Sequence, residues 1–167
     1  AVSLFATPRT IDGELEWAGL PPVQSTPAKT GRVTGGSDLD FWNGFGGFSK
    51  DGSEYVVRLD GSAATQQPWI NVIANENFGF HVSAEGAGFT WSQNSRDYQV
   101  TPWTNDPVVN RPGEAFYVTD LGSGRAYATV SALNTDPAAT FETRHGMGYS
   151  TFVSQHGDLE IELTQTV

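Results

Sequence analysis

Aromatic and hydrogen-bonding side chains are concentrated in residues 79–103, a stretch punctuated by glycine. Aromatic rings can cover the C–H faces of a sugar, while amide groups and a guanidinium can bind its hydroxyl groups. The stretch therefore predicts a carbohydrate-facing surface or an interface. Its candidate residues are Trp91, Asn94, Ser95, Arg96 and Trp103.

The same residues also admit a purely structural interpretation. Arg96 would then be a loop clasp that pairs with Asp97 or Asp106, and both tryptophans would be buried in the domain core. The residue types and their spacing leave both interpretations open.

A second candidate pair, Arg144 and His145, precedes the segment Gly146-Met147-Gly148. A histidine beside an arginine can titrate near neutrality and serve a binding site or a partner surface. The structural alternative is a β-bulge in which Arg144 pairs with Glu142 or another acid.

The sequence predicts neither a metal site nor covalent catalysis. The chain has no cysteine, and its three histidines, His81, His145 and His156, are far apart in sequence. We therefore expect neither a metal nor another cofactor. Carboxylates are plentiful, but no linear pattern selects a pair spaced for glycosidic acid-base work, so no catalytic residue is assigned.

The charge balance argues against nucleic acid and anionic membranes as partners. Nine basic residues stand against 19 acidic ones, giving a net charge of −10 that repels phosphate groups. The apolar runs are far shorter than the ~20 residues that cross a bilayer. We expect a soluble chain without direct membrane contact.

Short alternating segments indicate an all-β fold. No window has a convincing helical period, and about nine to twelve short strands favour an antiparallel β-sandwich over residues 41–167. Apolar residues on both faces of residues 69–75 predict a central strand. Four prolines and five glycines in residues 1–40 predict an irregular N-terminal arm or linker.

The ends of the sequence suggest a fragment of a longer protein. The chain begins at Ala1, and the alternating run Glu160–Val167 has no turn or tail residues after it. We expect a sandwich that is truncated at its C-terminal end.

Several collinear segments together resemble a known family. They are FWNGFGGF, DGSEYVVRL, PWINVIAN, FGFHVSAEGAGFTWSQNSRDYQVTPWTNDPV, RPGEAFYVTD and FETRHGMGYSTF. They look like the N-terminal β-sandwich of the glycosyltransferase 36 / cellobiose phosphorylase-like family, which includes cellobiose and chitobiose phosphorylases. The resemblance is greatest to the phosphorylase-like part of cyclic β-1,2-glucan synthases.

The resemblance implies a super-sandwich of the galactose mutarotase-like kind that precedes an (α/α)6 barrel. In the family that barrel holds the catalytic acid and the phosphate-binding residues, and none of its motifs is in this chain. The implied role is non-catalytic: the domain helps form a carbohydrate cleft and a subunit or interdomain interface. The implied partners are a glucan or oligosaccharide, the (α/α)6 catalytic domain and a second subunit of a homodimer.

Family sandwich loops approach the active site of a neighbouring subunit, and residues 88–103 align with that loop. An independent carbohydrate-binding module, a purely structural domain and, less favoured, a small complete glycosidase remain alternatives. The implied location is the bacterial cytoplasm, with inner-membrane association of the parent protein if it is a cyclic glucan synthase.

Overall fold

Antiparallel β-strands make up almost all of the regular structure. The computed structural model describes residues 35–61, 63–106 and 108–167, and these contain ten strands and one short 3-10 turn. The all-β prediction is confirmed. The strands are β1 (Gly46–Phe48), β2 (Tyr55–Asp60), β3 (Ile70–Ala74), β4 (Phe78–Ser83), β5 (Gly88–Ser92), β6 (Tyr117–Thr119), β7 (Ala126–Ala128), β8 (Thr140–Gly146), β9 (Tyr149–His156) and β10 (Leu159–Thr166).

The strands form two main sheets and a separate hairpin. The larger sheet has five strands in the order β1-β2-β8-β9-β10, the smaller has three in the order β3-β4-β5, and β6 pairs with β7. Residues 1–34 of the predicted N-terminal arm lie outside the described residues. The boundary at residue 40 therefore stays a prediction.

Two apolar clusters form the core of the described residues, and one of them is shared by the inner faces of the two sheets. Ile73, Phe80 and Val82 of the smaller sheet cluster with Phe152 of β9, and Leu163 of β10 packs beside them. Alternate residues of a strand point to opposite sides of the sheet, so the residues between these ones face outward. Two outward faces result, one on each side of the sandwich.

Strand β3 differs from the prediction of a central strand, because it lies at the edge of the three-stranded sheet. Its outward residues Ile70 and Val72 are 51% and 59% exposed. The apolar pattern of residues 69–75 was therefore an unreliable guide to position, since a sheet edge can carry exposed apolar side chains too.

The hairpin between β8 and β9 is a regular ladder and contains no bulge. His145 pairs with Ser150 and Gly146 with Tyr149, so Met147 and Gly148 form a two-residue turn. Gly148 has a φ of 83°, which glycine adopts without strain. Met147 at the tip is 96% exposed.

The side-chain amide of Asn71 connects the two sheets. The Nδ2 group of Asn71, on the inner face of β3, donates to the carbonyl oxygens of Gly146 and Tyr149, both at 2.9 Å, and to Ser150 Oγ at 3.1 Å. These acceptors belong to the β8–β9 hairpin of the other sheet. Asn71 thus ties the edge strand of the smaller sheet to the hairpin end of the larger one.

We predict that Asn71→Asp lowers the free energy of unfolding by about 2–3 kcal/mol, because a carboxylate would face two carbonyl oxygens without a proton to share. Chemical denaturation measures the change. The matched control is Asn75→Asp, since Asn75 Oδ1 accepts from the backbone N–H groups of Asn77 and Phe78 and a carboxylate keeps both bonds. Equal effects of the two substitutions would contradict this account.

Candidate functional site

An aromatic cluster lies on the outward face of the three-stranded sheet, with Phe89 of β5 at its centre. Trp103 stacks on Phe89, with ring centroids 5.1 Å apart and planes 9° apart. His81 of β4 meets the Phe89 ring edge-on at 4.5 Å and the Trp103 ring edge-on at 5.6 Å. Trp103 is 46% exposed, so the part of its indole that faces away from Phe89 is open to solvent.

Trp91, two residues along β5, is buried instead. It is 8% exposed, and its ring lies 5.2 Å from Phe89. The reason is its neighbour on β4, Gly79, whose missing side chain leaves room for the indole. A Cβ atom at Gly79 would come within 2.7 Å of the Trp91 ring. Trp91 is therefore a structural residue, and Trp103 is the tryptophan available to a ligand.

The loop after β5 is organised by Asn94. Its Oδ1 atom accepts the backbone N–H groups of Arg96 at 2.8 Å and Asp97 at 3.2 Å, which is an Asx turn. The Ser95 carbonyl accepts from Gln99 Nε2 at 3.2 Å. Among the described residues, the Arg96 guanidinium has no ion pair with Asp97 or Asp106. The structure therefore does not contain the loop clasp, in which Arg96 would pair with one of these acids.

The Asn94 loop and Trp103 lie towards opposite ends of β5. Gln99 bridges to Trp91, and the Val100 N–H donates to the Thr90 carbonyl at 2.8 Å, so residues 98–100 run back along the strand. The loop follows Ser92, whereas Trp103 sits on Phe89. Three residues of extended strand separate these points by about 10 Å.

The segment that carries Trp103 is anchored by the sheet beneath it. Thr101 Oγ1 accepts the Thr90 N–H at 2.8 Å, and Glu114 accepts from the Thr90 hydroxyl at 2.8 Å. The Gly113 N–H donates to the Gly88 carbonyl at 3.0 Å. Both ends of residues 101–114 are thus fixed to β5.

A buried carboxylate fixes the middle of the same segment. Glu85 is 5% exposed, and it accepts the Thr65 N–H at 2.8 Å, the Thr65 hydroxyl and the Asn110 amide at 3.1 Å. Glu85 is not among the residues that the sequence pattern singles out. The only sequence signal is an acid between two small residues, Ala84 and Gly86. An acid in a turn usually faces solvent, so this signal does not predict burial.

Backbone strain is concentrated in this region. Four described residues other than glycine have a positive φ, and three of them lie between residues 93 and 110: Gln93 at 58°, Asn105 at 50° and Asn110 at 46°. Such conformations cost free energy and persist where the surroundings hold them in place. The anchors described above supply that restraint around Asn110.

Arg144 lies on the outward face of the five-stranded sheet, on the other side of the sandwich from Trp91. Its Nε atom donates to Glu142 at 2.7 Å, as the pairing alternative predicted. Arg58 Nε donates to the same carboxylate at 2.7 Å. Burial raises the pKa of Glu142, but the hydrogen bonds from Arg58 and Arg144 outweigh it and leave that pKa below its ordinary value. The structure therefore does not bring Arg144 together with Trp91 or Arg96.

His145 points to the opposite side of β8 from Arg144, towards the interior. Its Nδ1 atom lies 2.9 Å from Ser150 Oγ. Burial lowers the pKa of His145 to about 4, because the charged imidazolium would lose its hydration. This lowered pKa argues against titration of His145 near neutrality.

Two further findings apply to the described part of the chain. Within residues 35–61, 63–106 and 108–167 there is no group of three or more histidine, aspartate or glutamate residues placed to hold a metal ion. No helix in those ranges is long and apolar enough to cross a membrane.

Comparison with known proteins assigns this chain to a family. The profile of the glycosyl hydrolase 94 supersandwich domain matches residues 53–167. The chain is 62% identical over 148 residues to cyclic beta-(1,2)-glucan synthase NdvB of Rhizobium meliloti (strain 1021), a match that covers 89% of this chain and 5% of that protein.

Two N,N'-diacetylchitobiose phosphorylases are more distant relatives. The one from Vibrio proteolyticus is 28% identical over 124 residues, covering 72% of this chain and 15% of that protein. The one from Vibrio furnissii is 30% identical over 111 residues, covering 65% and 13%. The chain thus spans only a small part of each relative. With its antiparallel sheets and this match over most of its length, the chain belongs to the glycosyl hydrolase 94 family as a supersandwich domain.

Proposed function

We propose that this domain is a non-catalytic part of a glucan-processing enzyme, either phosphorylase-like or a cyclic β-1,2-glucan synthase, and that it helps form the carbohydrate cleft. The observation that carries the proposal is the half-exposed Trp103 ring stacked on Phe89. A ring held flat on a rigid sheet can stack against the C–H face of a glucose unit with little loss of side-chain entropy.

The loop after β5 extends the same surface. The Asx turn of Asn94 fixes the backbone of Arg96 while its guanidinium makes no ion pair within the described ranges. Such a group can donate several hydrogen bonds to sugar hydroxyls or to a neighbouring chain. Its separation from Trp103 along β5 suits a ligand longer than one sugar unit.

The carboxyl groups with a clearly shifted pKa do not resemble a glycosidic general acid. A glycosidic general acid needs a raised pKa so that it remains protonated. Hydrogen bonds lower the pKa of every described carboxyl group that departs clearly from its ordinary value. These groups are Asp38, Asp51, Asp106, Asp120 and Glu142.

The proposed partners beyond the sugar are an (α/α)6 catalytic domain and a second subunit, and the proposed setting is the bacterial cytoplasm. The relatives support a multidomain context, because each is many times longer than the matched region. An independent carbohydrate-binding module is the second candidate. It differs in requiring that the isolated chain bind a glucan tightly without a catalytic domain.

We predict that the isolated chain releases no glucose 1-phosphate from β-1,2-glucan in the presence of inorganic phosphate. The reason is that the family's catalytic acid and phosphate-binding residues lie in the (α/α)6 barrel, and none of the barrel motifs is in this chain. A coupled assay for glucose 1-phosphate measures the product, and a chitobiose phosphorylase with its own substrate verifies the phosphate conditions. Sustained release above the no-enzyme rate would overturn the non-catalytic assignment.

We predict that β-1,2-linked gluco-oligosaccharides bind the chain weakly and shift the indole N–H resonance of Trp103 in an NMR titration. Trp103→Ala should weaken this binding about fivefold, because stacking contributes on the order of 1 kcal/mol. Trp103→Phe should retain part of the affinity.

The control is Tyr117→Ala, which removes a 53% exposed aromatic ring from β6 and should leave binding unchanged. Millimolar sugar that moves no tryptophan resonance would remove the carbohydrate part of the proposal and leave a structural domain. Micromolar affinity of the isolated chain would favour the independent binding module.

A further inference from the structure

The outward face of the five-stranded sheet contains a groove that the proposed function does not use. It has a volume of about 390 Å³, within the range of roughly 300–1,000 Å³ found for small-molecule sites. We call it the outer groove, and its lining includes Asp60, Thr140, Arg144, Val153, Gln155 and Glu160.

The register of the strands places these side chains on one face. Asp60 of β2 pairs with Thr140 of β8, Thr140 with Gln155 of β9, and Gln155 with Glu160 of β10. Four neighbouring strands therefore contribute one row of polar groups across the sheet. Val153, two residues from Gln155 and on the same side of β9, forms a small apolar floor beside the row.

One wall of the groove is held rigid by ion pairs. The Arg58 guanidinium binds Asp38 through two bonds of 2.8 and 2.7 Å and Glu142 through a third of 2.7 Å. Glu142 in turn holds Arg144. Preorganised groups lose little conformational freedom when a ligand binds.

Several lining groups keep hydrogen-bonding capacity for a ligand. Arg144 uses Nε and Nη2 towards Glu142, which leaves Nη1 as a donor. Thr140, Asp60 and Glu160 are exposed, and neither carboxylate forms an ion pair with another described residue. The groove thus offers donors and acceptors side by side, as hydroxyl groups require.

The charges of the lining argue against an anion. Asp60, Glu142 and Glu160 outnumber Arg58 and Arg144, and the Arg58 charge is already balanced by Asp38 and Glu142. A protein partner fits poorly too, since stable interfaces have an apolar centre and only Val153 and Phe141 are apolar among the lining residues of this groove.

From this arrangement we infer that the outer groove is a second carbohydrate site, for a neutral oligosaccharide segment. It lies on the opposite face of the sandwich from Trp103 and does not depend on that residue. The two faces together would hold two strands of glucan, or two turns of one long glucan, on either side of the domain.

Two NMR probes separate this inference from the proposed function. The Val153 methyl groups report on the outer groove, and the Trp103 indole N–H reports on the other face. In a titration of the full chain with β-1,2-linked gluco-oligosaccharides, the Val153 methyl signals should shift and saturate. Trp103→Ala should leave that response intact.

Arg144→Met should weaken the Val153 response about tenfold, because it removes the charged donor and keeps the aliphatic stem. Thr140→Val removes one hydroxyl, keeps the β-branched shape and should weaken the response about threefold. Lys50→Met makes the same change of charge as Arg144→Met, at an exposed site beside Asp40, and should have no effect.

Two outcomes would overturn the inference. One is a Val153 response that is absent or is unchanged in both Arg144→Met and Thr140→Val, while the variants keep the chemical-shift dispersion of the folded chain. The other is saturation by inorganic phosphate but not by the oligosaccharide, which would make the groove an anion site.

Discussion

Burial of one shared apolar layer is the constraint on which the rest of this domain depends. Phe80 and Val82 can leave water only against Phe152 and its neighbours on the other sheet. Once that layer forms, strand alternation fixes which residues point outward on each side. The positions of Trp103 and of Arg144 are consequences of this packing, because neither belongs to the shared layer.

The interior also contains polar groups, and several of them have a positional role. Asn71 links β3 to the β8–β9 hairpin, and the Thr143 hydroxyl donates to the Ala84 carbonyl at 2.6 Å. Glu85 binds Thr65 and Asn110, which lie in two separate loops. An unpaired polar group in such surroundings costs free energy, so these bonds select one arrangement of sheets and loops rather than simply adding stability.

Sequence reasoning reached the fold class and the family because both depend on patterns that are local in the chain. Alternation and turn residues mark the strands, and the run through residues 78–108 carries the family resemblance. It could not distinguish Trp91 from Trp103, since the difference comes from Gly79, which faces Trp91 only after β4 and β5 pair. The sequence does predict that Arg144 and His145 lie on opposite faces, because adjacent residues of a strand cannot share a face.

The two outward faces differ in how they achieve rigidity, and this difference bears on what each can bind. On the smaller sheet, rings hold one another: Trp103, Phe89 and His81 are mutually in contact, and the loop anchors act through the backbone. On the larger sheet, a chain of ion pairs runs from Asp38 through Arg58 and Glu142 to Arg144. Ring stacking tolerates a sliding ligand, whereas directed hydrogen bonds favour one register. For the two proposed sugar sites, this difference favours sliding of a glucan segment on the Trp103 face and a fixed register in the outer groove.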